Sequence, residues 1–332
     1  MNANTHDEWL AQVREEAIDP QLPIVDTHHH LWVRDGEPYL LRELLADMDC
    51  GHNIVSTVFA ECHSMYRPDG DETLRPIGET EFVTGIAAMS ASGTFGPARV
   101  CEVMFGAADL TLGDDVARVL DAHQSAAGQR FRGIRYSTGW DRSEKIRNVV
   151  PDAEMLRDRN VRRALRVLSA RELSFDAWLY HPQLDEVGEV AAALPQLTIV
   201  LNHVGSPILG GPYRGRGEEV FADWRQRVER LADYPNVVVK LGALPIRLPG
   251  GEFDRSMPPN SDEVAAAWAP WFNVCIDAFG PSRCMFESNF PVQRRWSSYG
   301  VVWNAFKKIA ADASANEKAD LFSGTARRAY RL

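Results

Sequence analysis

Three consecutive histidines, His28, His29 and His30, follow an apolar segment in the stretch IVDTHHHLW. If this segment is a β-strand, alternate side chains share a face, so His28 and His30 project together, about 7 Å apart along the strand. Asp26 is expected on the same face. Imidazole is the commonest metal ligand and titrates near neutral pH, so the pair predicts a metal or acid/base centre. The alternative is a polar strand end with satisfied histidines.

Other polar residues lie in or directly after apolar segments that are typical of strands. In chain order they are Arg132, Arg135 and Tyr136 in FRGIRY, His181 after SFDAWLY, His203 after TIVLN, and Glu287 and Asn289 in RCMFESN. The carboxyl ends of the strands of a β/α barrel meet at one face, so these side chains would converge on one pocket. Taken singly, each has an ordinary alternative: a turn or cap for the histidines, a surface ion pair for the arginines, and a buried ion pair with Lys240 for Glu287.

The segments that carry these residues alternate between strand and helix patterns. From Ile24 onward the sequence shows eight strand-helix units with no internal linker, and a Gly/Pro-rich loop at 242–260 precedes the seventh helix. This count predicts a single (β/α)8 TIM barrel over residues 24–332, preceded by an N-terminal extension, residues 1–23. A doubly wound sheet is the alternative, but no G-x-G-x-x-G or phosphate loop follows any strand.

Composition limits the classes of function. The chain has 332 residues, 45% of them hydrophobic, and a net charge of -10, which argues against nucleic acid or an anionic membrane as partners. Its five cysteines are scattered without a C-x-x-C pair, so neither a disulfide framework nor a cysteine zinc site is expected. The acidic N-terminus does not look like a signal peptide, and no apolar run has membrane-spanning length. We expect a cytoplasmic protein with a small-molecule substrate, and the sequence leaves a homo-oligomer open.

Several motifs in this order resemble one known family. DTHHHLW, FRGIR, YHPQL, TIVLNHVGSP, NVVVKLG and MFESNFPV are similar to the amidohydrolase superfamily, in the branch of TIM-barrel hydrolases that includes sugar lactonases and 2-pyrone-4,6-dicarboxylate lactonase. The resemblance implies that His28, His30 and His181 are metal ligands. It also implies that His203 binds or polarises the substrate or the attacking water.

The chain departs from the family pattern at the end of the eighth strand. Relatives typically place an aspartate there as a ligand or base, whereas this chain has Asn289, which is neutral and a poor zinc ligand. Glu287, two residues earlier, is a carboxylate that could replace it. The resemblance implies one divalent metal ion, with zinc as the natural choice, and Asn289 weakens that expectation. His203, Glu287 and Asn289 are therefore the predicted catalytic residues.

The predicted function is a hydrolase that opens a lactone or cyclic ester with an activated water. The substrate is expected to be carboxylated or sugar-derived, with Arg132 or Arg135 and Tyr136 binding a carboxylate or carbonyl. Trp32 and Tyr66 are expected to line the apolar part of the pocket, although packing beneath the loops is their commoner use. Two alternatives stay open at this point: a non-oxidative decarboxylase or lactone isomerase on the same scaffold, and a non-catalytic small-molecule binder.

Overall fold

Eight parallel strands form the centre of the molecule in a computed structural model that describes residues 3–244 and 256–332. The first two residues of the predicted N-terminal extension, and most of the predicted loop at 242–260, lie outside the described residues. The strands are β1 (Ile24–His29), β4 (Ile54–Ala60), β5 (Arg99–Gly106), β6 (Phe131–Ser137), β7 (Ser174–Trp178), β8 (Ile199–Leu201), β9 (Val237–Leu241) and β10 (Cys284–Phe286). A short antiparallel hairpin, β2 (Trp32–Arg34) and β3 (Glu37–Tyr39), follows β1.

Helices separate consecutive barrel strands and cover the outside. They are α1 (Ala3–Leu10), α2 (Leu41–Met48), α3 (Ile77–Ala91), α4 (Val116–Ala127), α5 (Arg159–Ala170), α6 (Leu184–Ala193), α7 (Gly217–Leu231), α8 (Ser261–Phe279), α9 (Tyr299–Ile309), α10 (Ala315–Ala319) and α11 (Thr325–Tyr330). None of the helices in the described ranges combines the length and the apolar composition that crossing a bilayer requires.

The predicted (β/α)8 barrel is confirmed. Strand order is β1-β4-β5-β6-β7-β8-β9-β10, and all seven neighbouring pairs are parallel. The barrel closes between its ends, where His30 N donates to Phe290 O at 2.8 Å and Asn289 N donates to His28 O at 2.8 Å. Predominantly apolar strands such as β4 and β9 suit a parallel barrel, because each strand of such a barrel is buried on both faces.

Side chains of opposite character fill the two ends of the barrel interior. The lower end is apolar and is closed by the C-terminal helix; its buried members are Val25, Val58, Val103, Phe105, Val200, Met285, Ala326 and Tyr330. The Nζ atom of Lys240 lies 5.3 Å from the Phe105 ring centroid and 5.4 Å from that of Tyr330, so polar groups begin directly above this layer. A packed floor of this kind excludes water from beneath the polar cluster.

Strand β1 contains an irregularity that changes the predicted direction of Asp26. The register of β1 against β4 shifts between Asp26 and His29, so strict alternation fails there. Asp26 turns away from the histidine pair and accepts hydrogen bonds from Ser288 N at 2.9 Å, Ser288 Oγ at 2.6 Å and Tyr299 Oη at 2.9 Å. The expectation that Asp26 shares a face with His28 and His30 is therefore wrong. Burial raises the pKa of Asp26 to about 6, and its role is to fix the end of β10 against β1.

Candidate active site

A buried carboxylate joins two histidines at the upper end of the barrel. Glu287 Oε1 accepts hydrogen bonds from His203 Nδ1 at 2.6 Å and from His203 N at 3.1 Å, while Glu287 Oε2 lies 3.0 Å from His28 Nδ1. Gly242 leaves the space that Glu287 needs, since a Cβ at Gly242 would lie 2.4 Å from Glu287 Cγ. The side chain of His203 is 9% exposed, whereas those of Glu287 and His28 are fully buried. His203 is thus the member of this group that solvent reaches.

A second charged layer lies beneath His28. Lys240 Nζ donates to Asp176 Oδ2 at 2.7 Å and approaches His28 Nδ1 at 3.3 Å, and Asn202 Nδ2 donates to the same Asp176 oxygen at 3.1 Å. Lys240 and Asp176 are both fully buried. Glu287 therefore pairs with histidines, and Lys240 pairs with Asp176 instead of with Glu287. Burial raises the pKa of the Asp176 carboxyl, and the Lys240 ammonium opposes that shift.

A guanidinium group faces the cluster from β6. Arg135 Nη1 donates to Glu61 O at 2.9 Å and approaches Glu61 Oε1 at 3.3 Å, and Arg135 Nε donates to Asn202 Oδ1 at 3.2 Å. These bonds fix the planar group and leave Nη2 without a hydrogen bond within the described part of the chain. Its donors are therefore oriented before any ligand arrives, which lowers the entropic cost of binding an anionic or carbonyl oxygen.

The three histidines of β1 differ in environment. His30 Nδ1 donates to Ala60 O at 2.8 Å, which leaves Nε2 as the lone-pair nitrogen, and this Nε2 lies 3.3 Å from His28 Nε2. Burial, reinforced by the charge of Lys240 for His28 and of Arg135 for His30, holds both pKa values well below the usual range. His29 points to the outer side, where Thr57 contacts its Nε2 at 2.8 Å, and burial lowers its pKa to about 3. His28 and His30 therefore lie together as predicted from strand alternation.

A cavity of about 830 Å³ opens above this cluster. His30, Glu61 and Arg135 form its inner wall, and the predicted substrate-binding residues Trp32, Tyr66 and Tyr136 also line it. Trp32 stacks against His30 with ring centroids 5.7 Å apart, which places an aromatic face next to the histidine pair. The cavity combines aromatic walls with convergent polar and charged groups, as small-molecule sites do.

Two of the predicted site residues lie elsewhere. His181 begins a short 3-10 turn after β7; its Nδ1 accepts from Ile208 N at 3.2 Å and its Nε2 lies 3.7 Å from Asp223. His181 is not among the described residues whose possible ligand atoms lie within 4.8 Å of one another, which are His28, His203 and Glu287. The 3-10 turn, and not the direction of β7, sets the orientation of the His181 side chain. The position of His181 at the end of a strand was therefore not enough to predict where its ring lies.

Arg132 also does not reach the cavity. Its Nε donates to Tyr330 O at 2.8 Å and its Nη2 to Arg331 O at 3.3 Å. Arg132 therefore binds the end of α11, the C-terminal helix that closes the apolar end of the barrel. Of the two predicted arginines, only Arg135 lines the cavity. The odd spacing of the two residues along β6 directs them to different partners.

Replacing Arg132 by alanine is expected to lower stability without changing substrate affinity. The variant loses charge-assisted hydrogen bonds to two carbonyls, which corresponds to about 1.5–3 kcal/mol of unfolding free energy. Denaturant titration would measure the loss, and kinetic assays would give KM. A KM that rises several-fold with unchanged stability would instead place Arg132 in the binding site.

Strand-end reasoning missed Asp176, and the structure adds a detail at the predicted Asn289. Asp176 occupies the middle of the apolar strand β7, and a charged residue in a strand buried on both faces is a signal that the sequence offered. Asn289 has a φ of 54°, and its buried Oδ1 has no hydrogen-bond partner among the described residues. A buried amide oxygen of this kind can accept a hydrogen bond from a water or a ligand, or contact a cation.

The donor set fits a divalent metal ion with two of the three predicted ligands, His28 and His30, and without His181. Two nitrogens bound to a tetrahedral zinc ion at about 2.0–2.1 Å are about 3.3 Å apart, and His28 Nε2 and His30 Nε2 are separated by 3.3 Å. Ala60 O already orients His30 for this role, as partners of metal-binding histidines do. The grouping of His28, His203 and Glu287 also offers ligand atoms within 4.8 Å of one another.

The Nδ1 atom of His28 has two neighbours, and each would favour a different tautomer of the ring. Its Nδ1 can accept from Lys240, which places the proton on Nε2, or donate to Glu287, which frees Nε2 as a lone pair. Only the second arrangement lets His28 and His30 hold a metal ion together. In the grouping with His203, by contrast, the 2.6 Å contact to Glu287 already uses the facing atoms in a direct hydrogen bond. We therefore favour the two Nε2 atoms as the metal-facing pair.

Comparison with known proteins matches almost the whole barrel to one family. The amidohydrolase family profile matches residues 25–332. The chain belongs to the amidohydrolase family. This match confirms the predicted resemblance and the expectation of an enzyme of the hydrolase class.

Named relatives of this amidohydrolase cover most of its length. The chain is 30% identical over 330 residues to the protein y4mH of Sinorhizobium fredii, covering 95% of this chain and 98% of that one. It is 25% identical over 318 residues to an L-fucono-1,5-lactonase of Burkholderia ambifaria, covering 93% and 95%, respectively. It is also 30% identical over 206 residues to an L-fucono-1,5-lactonase of Burkholderia multivorans, covering 62% and 64%.

Solved structures share the fold of this amidohydrolase at lower identity. An amidohydrolase of Burkholderia multivorans with bound zinc superposes with a TM-score of 0.71 at 23% identity, covering 93% of this chain and 99% of the other. A 2-pyrone-4,6-dicarboxylic acid hydrolase candidate from Pseudomonas putida gives a TM-score of 0.61 at 17% identity, covering 94% and 98%. These structures support the barrel architecture.

Proposed function

We propose that this amidohydrolase opens a lactone by general-base attack of water, with His203 as the base. The observation that carries the proposal is the 2.6 Å hydrogen bond between His203 Nδ1 and the fully buried Glu287. This bond fixes the tautomer, so that Nε2 of His203 carries the lone pair. His203 is also the only member of the pair with solvent exposure in the described structure, so water can reach it.

The chain's own groups account for the proton transfers. Nε2 of His203 removes a proton from the attacking water, and the carboxylate of Glu287 stabilises the imidazolium that forms. His203 then returns the proton to the ring oxygen as the bond between the carbonyl carbon and that oxygen breaks. The product is a hydroxy acid, whose carboxyl group ionises at neutral pH and releases one proton.

Arg135 is placed to stabilise the negative charge that develops on the carbonyl oxygen. Its guanidinium group is held by Glu61 and Asn202, so it does not need to reorganise during the reaction. A divalent metal ion held by His28 and His30 would supply Lewis-acid polarisation of the carbonyl. Asn289, which stands where relatives typically have an aspartate, is neutral and cannot serve as the base, and this supports His203 in that role.

Incubation with a panel of lactones tests the proposal. The L-fucono-1,5-lactonase relatives favour including sugar-derived five- and six-membered lactones, together with carboxylated pyrone lactones. Proton release in weakly buffered solution, accompanied by appearance of the hydroxy acid, is the expected result. Release of carbon dioxide from aromatic acids without lactone opening would support the decarboxylase alternative instead, and ligand binding without any turnover would support a binding protein.

A further inference from the structure

The cavity above the cluster is rich in guanidinium groups. Its wall contains three arginines, Arg34, Arg135 and Arg147, against two carboxylates, Glu61 and Asp109. The chain as a whole carries a net charge of -10, so this concentration of cationic groups is opposite in sign to the rest of the molecule. A cleft lined by one sign of charge attracts ligands of the other sign.

The two carboxylates are already engaged. Glu61 Oε1 lies 3.3 Å from Arg135 Nη1. Asp109 Oδ1 accepts hydrogen bonds from Thr111 N at 2.9 Å and Thr111 Oγ1 at 2.6 Å at the start of a helical turn. Of the three arginines, Arg135 alone has an ion pair in the described part of the chain. Arg34 and Arg147 therefore have no carboxylate partner among the described residues, and the cavity wall carries one more positive than negative charge.

Both of these arginines come from ordered positions. The Arg34 guanidinium lies 3.8 Å from the ring centroid of Trp32, and its Nη2 donates to Cys62 O at 2.9 Å. The loop that carries Arg147 is fixed by a hydrogen bond from Tyr180 Oη to Arg147 O at 2.7 Å. Next to it, Val149 N donates to Gly139 O at 3.0 Å, which closes the loop against the end of β6.

We propose that Arg34 and Arg147 bind a carboxylate of the substrate. The inference rests on the proposed lactone hydrolysis and narrows its substrate class to lactones that carry a carboxylate, in preference to neutral sugar lactones. The planar guanidinium groups match a carboxylate through paired N–H donors. Trp32, Tyr66 and Trp178 in the same cavity provide aromatic faces for the lactone ring. The carboxylate is held at the mouth while the ring carbonyl reaches Arg135.

A matched pair of substrates tests this assignment. A ring-carboxylated 2-pyrone and its methyl ester have the same lactone ring and differ by one negative charge, and ring opening of each can be followed by absorbance. We expect kcat/KM to be at least about 10-fold higher for the acid, and to fall with added salt for the acid only. Equal values for acid and ester would overturn the inference while leaving lactone hydrolysis intact.

Substitution of the two arginines provides a second readout. Arg34→Gln and Arg147→Gln should each lower kcat/KM for the acid by about 10- to 100-fold, through KM, and leave the ester unchanged. Arg147→Lys should restore part of the loss. Arg142→Gln is the control, because Arg142 lies on the same loop and lines a separate cavity. Equal losses for acid and ester would indicate a structural role and contradict the assignment.

Binding measurements separate the two proposals if neither compound is hydrolysed. Calorimetric titration of the carboxylated pyrone into the wild-type protein and into Arg147→Gln would then give the dissociation constants. Weaker binding by the variant would support the carboxylate site although lactone hydrolysis had failed. Equal binding would overturn the carboxylate site, as would a clear preference for a phosphorylated sugar lactone over the carboxylated one.

Discussion

Substituting glutamine for Glu287 should lower kcat by about 10²- to 10⁴-fold, the range that a positioned acid/base group contributes. Glutamine has nearly the same shape, but it removes the charge that stabilises the His203 imidazolium. It can also present an amide donor to His203 Nδ1, which would favour the wrong tautomer of the base. KM should change little, because Glu287 is fully buried behind His203 and does not line the cavity.

Steady-state kinetics on the best lactone of the panel would measure this effect. Glu186→Gln is a suitable control, since Glu186 is also a buried carboxylate but accepts a hydrogen bond from Leu156 N beside α6, outside the barrel interior. A variant with kcat within about threefold of the wild type would exclude the His203–Glu287 pair as the base.

The affinity of the protein for zinc would test the contact between Glu287 and His28 without depending on turnover. The carboxylate also contacts His28 Nδ1, and removing such a supporting partner typically weakens metal binding by about 10- to 100-fold. Chelator competition on metal-free protein would measure the dissociation constant for zinc in the wild type and in Glu287→Gln. Unchanged affinity would indicate that His28 Nδ1 does not donate to Glu287 when the metal is bound.

Replacing Lys240 by methionine should lower the free energy of unfolding by about 3–5 kcal/mol. This substitution leaves Asp176 fully buried without its cationic partner, and an uncompensated buried charge is among the costliest single changes in a core. Methionine is close to lysine in length, so the cost reflects the lost charge more than lost packing. Guanidinium titration, or the thermal unfolding midpoint, would measure the change.

Two further variants give this prediction its controls. In Lys308→Met the lost partner is Asp262 on the surface, and the expected cost is about 0–1 kcal/mol. In the double variant Lys240→Met/Asp176→Leu both buried charges are gone, and part of the stability should return. If Lys240→Met is no less stable than Lys308→Met, Asp176 must be protonated or hydrated in the folded protein.

Local sequence patterns predicted the barrel well because each of its strands is short, apolar and bounded by polar turns. The eight predicted strand-helix units are present, and the seventh helix, α8, begins at Ser261, directly after the predicted loop at 242–260. The hairpin of β2 and β3 and the N-terminal helix α1 were not predicted. These short elements lack the long apolar periodicity on which such predictions depend, and contacts with the rest of the chain stabilise them.

The placement of a side chain was predicted correctly where a strand alone directs it. Alternation along β1 placed His28 and His30 together, and the end of β6 placed Arg135 at the cavity. The prediction failed for His181, where a 3-10 turn intervenes between strand and side chain. It failed for Asp26 because a register shift reverses alternation within β1. Turns and bulges depend on contacts with distant segments, which one-dimensional spacing does not encode.

The sequence by itself determined the architecture and the face of the barrel on which the candidate site lies, since strand direction and alternation are local properties. Only the tertiary structure decided which residues are partners. Glu287 bonds to His203 and Lys240 to Asp176 because the barrel brings side chains that are 84 and 64 residues apart in the sequence within 3 Å of one another. These pairings depend on the tertiary structure, and the hydrogen bond to Glu287 fixes the orientation of the His203 ring.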